Sequence, residues 1–198
     1  MHSTSPTPAQ INATFVEKWA ATYPTAYDIS YYDPFIAAGR AGTPAALRKL
    51  TEWKNVGNNR PMPLSSNKEK AFQKLLAMLK SVSDPTESSL RHAFPETSPV
   101  FAIFWSHVLF DTPIFDVHTN RAFHWFHCGI YLPARGSSIP RGGHWHLYDV
   151  YREWFRQLLA TAQSENPAIN PRTLDRALFR WGLTNSATLS QPNLPTDQ

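Results

Sequence analysis

Thr112-Pro113-Ile114-Phe115-Asp116-Val117-His118-Thr119-Asn120-Arg121-Ala122 lies just downstream of Val100-Phe101-Ala102-Ile103-Phe104-Trp105-Ser106-His107-Val108-Leu109-Phe110, with only Asp111 between them. The upstream segment is apolar on almost every face, and a helix of that kind belongs in the middle of a domain, with other helices around it. Asp111-Thr112-Pro113 ends it, because proline cannot continue a helix and pushes its predecessor toward an extended conformation. Asp116 then stands where an N-cap is expected, ahead of a second amphipathic helix. An acid fixed there, directly after the most buried element, is held rigidly and partly desolvated, which suits a reactive carboxylate. Capping alone would also explain it, since Asp is among the commonest N-cap residues. His118 and Arg121, three apart, share a helix face and could simply pair with neighbouring groups.

Outward from this stretch, the helix starts are marked by Thr43-Pro44, Asp84-Pro85, Ser98-Pro99 and Asn170-Pro171, each a capping residue followed by proline at the first helical position. Ser66 with Glu69 and Asp84 with Glu87 have capping-box spacing. These signals predict helices over 44–55, 67–81, 85–93, 99–110, 117–128 and 171–182, with others over 11–22 and 147–162 from apolar periodicity. The tyrosine-rich stretch from Tyr23 to Phe35 is broken by Pro24 and Pro34 and reads as irregular, or as a short strand pair. No comparable length shows period-two alternation, so the fold class is all-α. Residues 1–10 and 186–198 read as flexible tails, and 11–185 as one compact multi-helix domain, or two helical lobes.

Composition sets the outer bounds. The chain has 198 residues, 42% of them hydrophobic, enough for a real core. Nineteen Lys plus Arg against fifteen Asp plus Glu give a net charge of +4, which permits nucleic-acid binding without requiring it. The single cysteine, Cys128, excludes an internal disulfide and fits a reducing compartment. The N-terminus lacks the apolar core of a secretory signal, and the run from Val100 to Phe110 is far short of the roughly twenty residues of a membrane span. A soluble, cytoplasmic protein with no membrane partner is expected.

The apolar helix, the short turn and the wording Pro113-Ile114-Phe115-Asp116-Val117-His118-Thr119-Asn120-Arg121 resemble the helix-hairpin-helix DNA glycosylase superfamily, most closely its divergent bacterial branch similar to 8-oxoguanine DNA glycosylase. Trp53-Lys54-Asn55 and Leu174-Asp175-Arg176-Ala177-Leu178-Phe179 are weaker echoes. The resemblance implies an all-α glycosylase fold, double-stranded DNA as partner and no cofactor. It makes Asp116 the catalytic carboxylate, with His118 and Arg121 as supporting residues.

The family's hairpin reads approximately Leu-Pro-Gly-Val-Gly, followed in bifunctional members by a lysine two residues later. Here the corresponding stretch is Phe94-Pro95-Glu96-Thr97-Ser98-Pro99-Val100. Both glycines are absent, so bare backbone is not available to approach a phosphate in the usual way. Val100 holds the lysine position, which implies a monofunctional enzyme without a Schiff-base step.

Other candidates follow from neighbourhood. Arg135 and Arg141, in the Gly/Arg loop 132–143, could meet phosphates, with Lys54 a further candidate; a solvated linker is the plain alternative for that loop. Trp105, Trp125 and Trp145 are the aromatic candidates for a base pocket. His118, His124, His127, Cys128, His144 and His146 fall within twenty-nine positions, so a metal site must be weighed. There is no Cys-x-x-Cys pair and no His-Glu-x-x-His, and aromatic residues interleave the histidines, so no metal is assigned. Three readings result: a monofunctional DNA glycosylase, a non-catalytic helical module binding nucleic acid or protein, and a metal-dependent hydrolase using the histidine cluster.

Overall fold

The computed structural model describes residues 11–57, 60–96, 98–130, 132, 139–140 and 142–185. The predicted tails, together with Arg135 and Arg141, lie outside the described residues. The fold is all-α. In chain order the elements are α1 (Ala13–Ala21), α2 (Thr25–Tyr31), α3 (Asp33–Arg40), α4 (Pro44–Lys54), β1 (Val56–Gly57), β2 (Arg60–Pro61), α5 (Ser66–Ser81), α6 (Glu87–Ala93), α7 (Pro99–Phe110), α8 (Val117–Cys128), α9 (His144–Glu165) and α10 (Pro171–Thr184). β1 and β2 pair antiparallel, with Val56 opposite Pro61 and Gly57 opposite Arg60. No helix among the described residues is long and apolar enough to cross a membrane.

Tyr23–Phe35 corrects the expectation of irregular chain or a strand pair, because it forms α2 and the start of α3. Pro34 falls in the first turn of α3, where its missing N–H has no helical partner to lose. Four expected caps also differ, and of these Thr43 and Ser98 stand at their helix starts without a side-chain cap. Asp84 does not cap α6; Thr86 does, in a reciprocal box with Ser89. Ser66 is the first residue of α5, and Glu69 turns away from any capping role to clamp Arg48 of α4 through two bonds of 2.9 and 2.7 Å. A bidentate guanidinium–carboxylate pair outcompetes the weaker reciprocal cap. It also holds the Glu69 carboxyl down at about 2.

The chain divides into two compact units. The first contains α1, α8, α10 and the part of α9 from Tyr151 onward. α10 packs on both α1 and α8. Its core includes Val16, Phe115, Phe123, Trp154, Phe155, Leu174 and Leu178. Phe115 stacks on Tyr151 at 4.3 Å between ring centroids, and Phe126 lies 4.6 Å from Trp181. Gly182 is the contact that lets α10 approach α8, since a Cβ there would sit 2.0 Å from the His118 carbonyl oxygen.

The second unit contains α2 to α7, both strands and the first turns of α9. Here the apolar α7 behaves as its sequence demands: residues 102–108 are all buried, and α3, α4 and α6 pack around it. A column of aromatic rings runs from Tyr27 through Trp53 to Phe104, with centroid separations of 6.0 and 5.7 Å. Tyr27 donates to the Trp53 carbonyl at 3.2 Å, and burial pushes its phenol up to about 12.

The Gly182 contact yields a direct test. Gly182→Ala should destabilise the protein by about 1–3 kcal/mol or more, because backbone rather than a pliable side chain meets the new methyl. Gly142→Ala, with nothing within 4 Å of the added Cβ, should change stability by no more than about 0.5 kcal/mol. Chemical denaturation of the two variants checks both values.

Candidate functional site

Asp116 is the N-cap of α8, with extended backbone (φ −136°, ψ −174°) and only 6% of its surface exposed. Its Oδ1 accepts from the backbone N–H of His118 at 2.9 Å and of Thr119 at 3.1 Å. Thr119 returns the favour: its hydroxyl oxygen accepts from the Asp116 N–H at 2.7 Å. This capping box uses Thr where the usual pattern has Glu or Gln. It fixes the carboxylate in one orientation over the positive end of a helix dipole.

His118 and Arg121 are one turn apart and meet directly: Arg121 Nη1 lies 3.0 Å from His118 Nδ1. A guanidinium can only donate, so Nδ1 is the acceptor and the imidazole carries its proton on Nε2. Arg121 also donates to the Gly182 carbonyl at 3.2 Å, and the His118 ring stands edge-on to Phe179 at 4.7 Å. Both residues therefore join α8 to α10. Phe179 is the last residue of the 174–179 echo, so that stretch meets the Asp116 helix within one unit.

The hairpin equivalent belongs to the other unit. α6 and α7 pack together, joined by 94–98. Ser98 takes the left-handed conformation (φ 51°, ψ 48°) that glycine would adopt easily, and makes no side-chain cap. The turn is held from outside: the Trp145 indole donates to the Phe94 carbonyl at 2.8 Å, and the Phe94 ring packs on Trp105. Arg91 of α6 grips Asp149 of α9 with two bonds, donates as well to Glu87 of its own helix at 2.8 Å, and lies 4.8 Å over Trp145.

These contacts decide the tryptophans. Trp105 is 1% exposed and donates to the Thr51 hydroxyl at 3.0 Å, so it is a core residue of its unit, not an open wall. Trp145 is likewise buried and spent on the hairpin. Trp125 is half-buried and stacks on Trp181 at 6.2 Å. Lys54, at the end of α4, holds its ammonium 5.9 Å from the Phe104 ring. Lys68 and Lys74 stand similarly over Phe101 and Phe94, at 5.6 and 5.1 Å.

No group of three or more potential metal ligands converges among the described residues. His124, His127 and Cys128 lie on α8, whereas His144 and His146 belong to the other unit. Burial, and secondarily the charge of His127, holds the His124 imidazole below its ordinary value.

The sequence reading missed His107, Thr112 and Tyr148. His107 is buried, and its Nδ1 donates to the Thr112 carbonyl at 2.5 Å while Nε2 faces the Tyr32 hydroxyl at 2.5 Å. A carbonyl can only accept, which fixes the proton on Nδ1. The Tyr148 hydroxyl bridges the Thr112 hydroxyl and the Pro113 carbonyl, 2.7 Å to each. Ser106 reaches the Thr112 hydroxyl from α7 at 3.2 Å. The one available sequence signal was polar residues embedded in the apolar run, namely Ser106 and His107.

Tyr148→Phe should cost about 1–3 kcal/mol, the penalty of taking its partner from the buried Thr112 hydroxyl and from the part-buried Pro113 carbonyl. Denaturant unfolding reads the loss, with far-UV circular dichroism unchanged. His124 makes a pH prediction. Its unfolded imidazole, near 6.5, takes up a proton before the folded one does. Stability from this group is therefore full above that pH and declines as pH falls through it toward the lower folded value. His124→Gln should flatten this part of the stability–pH profile.

Comparison with known proteins adds no relative: no family model matches this chain, and neither a curated protein nor a solved structure matches it.

Proposed function

We propose that this chain is a DNA glycosylase-like protein that removes a damaged or modified base from double-stranded DNA by monofunctional hydrolysis, with Asp116 as the reacting carboxylate. One observation carries the reading. A buried aspartate, oriented by a complete capping box, opens the helix that follows an α6–hairpin–α7 sequence. That chain order and cap are what the superfamily resemblance requires of the Asp, and capping alone does not require the preceding hairpin. The ammonium groups of Lys54, Lys68 and Lys74 near the hairpin and α7 also support a polyanionic partner.

The chemistry follows from the carboxylate. As the C1′–N bond breaks, its electron pair leaves with the base, and positive charge develops on the sugar. A fixed anion stabilises that charge and accepts a proton from the water that adds to C1′. The departing base gains a proton, and the strand retains an intact abasic sugar. With Val100 at the lysine position, that position supplies no amine to attack C1′.

A second reading, a non-catalytic helical module that binds nucleic acid or another protein, is favoured by the missing hairpin glycines and by the use of Asp116 Oδ1 in the cap.

Duplexes carrying a panel of damaged bases separate the two. Hydrolysis should produce strands that break only after alkali, and borohydride should trap no covalent complex. Asp116→Asn should lower excision by roughly 10²–10³-fold. It should leave stability within about 1 kcal/mol, since Asn caps helices nearly as well as Asp. Duplex affinity should fall steeply with salt through counterion release. No excision across the panel, with salt-dependent binding retained, would leave the non-catalytic module.

A further inference from the structure

The second unit contains a cavity of about 330 Å³ that neither Asp116 nor the hairpin helps to form. Its walls are Tyr31 at the end of α2, Phe35 in α3, Lys49 and Glu52 in α4, and Arg60 and Met62 on the strand pair and its exit. Tyr31 and Met62 are 41% and 46% exposed, unusually open for large apolar side chains.

The wall formed by β2 and its exit is held in place from behind. Asn55 Nδ2 donates to the carbonyls of Met62 and Pro63 at 3.0 and 2.9 Å, and the Met62 N–H donates back to the Asn55 carbonyl at 2.9 Å. Lys68 secures the Asn55 side chain through its Oδ1 at 2.5 Å. The aromatic wall is supported too, with Tyr31 resting on Tyr27 at 5.2 Å.

Its chemistry is mixed in an informative way. Arg60 has no acidic partner among the described residues. The Lys49–Glu52 pair is long, at 3.5 Å, and Lys49 is 60% exposed. Such a pair contributes little and opens readily for a better partner. The cavity thus offers flat apolar faces, one free cation, and a carboxylate that can accept hydrogen bonds.

We propose that this cavity binds a single guanine nucleotide. The base lies against Tyr31, Phe35 and Met62, Glu52 accepts from its N1–H and amino group, and Arg60 takes the phosphate. An acidic peptide fits less well, since it offers no planar face joined to a paired donor edge for Glu52. The volume lies near the lower end of the roughly 300–1,000 Å³ typical of small-molecule sites, which suits one nucleotide. Arg60 and Glu52 project from different elements, so phosphate and base edge are read by separate walls. The guanidinium is suited to a phosphate through its forked donors.

Calorimetric titration of the full chain tests this with guanosine monophosphate, uridine monophosphate, guanosine and inorganic phosphate as probes. Guanosine monophosphate should bind at least tenfold tighter than each of the others. Arg60→Gln should weaken it roughly tenfold, the scale of one charge-assisted hydrogen bond. Glu52→Gln should abolish the preference over uridine monophosphate, and Tyr31→Ala should weaken all the nucleotides. Thermal unfolding of each variant confirms that it is folded. A single-stranded trinucleotide with central guanine distinguishes the source: tighter binding than the mononucleotide identifies a nucleic-acid strand, and equal binding identifies a free nucleotide. No binding of guanosine monophosphate at millimolar concentration overturns the proposal. So does phosphate alone binding equally well, or affinity indifferent to Arg60 and Glu52. The titration involves no excision, so its failure and that of the glycosylase reading are separable.

Discussion

A buried turn that ends an apolar helix must find hydrogen-bond donors for its carbonyl groups, and here His107 and Tyr148 supply them to Thr112 and Pro113. Each unsatisfied buried carbonyl would cost about 1–3 kcal/mol, a sizeable part of the roughly 5–15 kcal/mol by which a domain is stable. The two donors come from different places, one from α7 itself and one from the first turns of α9. The turn therefore depends on α9 being in position, and α9 is positioned by Arg91 of α6 gripping Asp149 and by Trp145 donating to the Phe94 carbonyl. By contrast the Arg40–Asp111 ion pair at the same turn is largely exposed and contributes little. At the turn itself the hydrogen bonds from His107 and Tyr148 outweigh the exposed Arg40–Asp111 pair.

The hairpin illustrates the same economy of means. Where glycine would relieve backbone strain at no cost, Ser98 occupies the left-handed region, which for a side-chain-bearing residue costs about 1–2 kcal/mol. The surrounding contacts offset this: the Trp145 bond to Phe94 and the packing of Phe94 on Trp105 fix the turn from outside.

In the other unit the same logic is carried by a cap and a close approach. Asp116 and Thr119 satisfy each other's backbone N–H groups, and Gly182 lets α10 come near enough for Arg121 to reach its carbonyl. The His118–Arg121 pair, which spacing alone leaves open, is thus directed inward to a helix neighbour. Proposed catalysis and observed architecture meet at one residue, since the bond that orients the Asp116 carboxylate also starts α8.

By itself the sequence determined the all-α class, the limits of α7 and α8 to the residue, and the cap at Asp116. These depend on local rules: proline at a helix start, an N-cap acid, and apolar residues on every face of one segment. It did not determine α2 and α3, where prolines that read as breaks sit at helix starts. Nor did it show that Glu69 serves Arg48 instead of a cap, that Trp105 and Trp145 belong to the core, or that His107 and Tyr148 hold the turn. Partners such as Tyr148 and Thr112 are thirty-six residues apart, and no local pattern records which distant donor a buried acceptor meets. Only the tertiary fold decides that, because the cost of an unpaired polar group arises only once packing has removed the water.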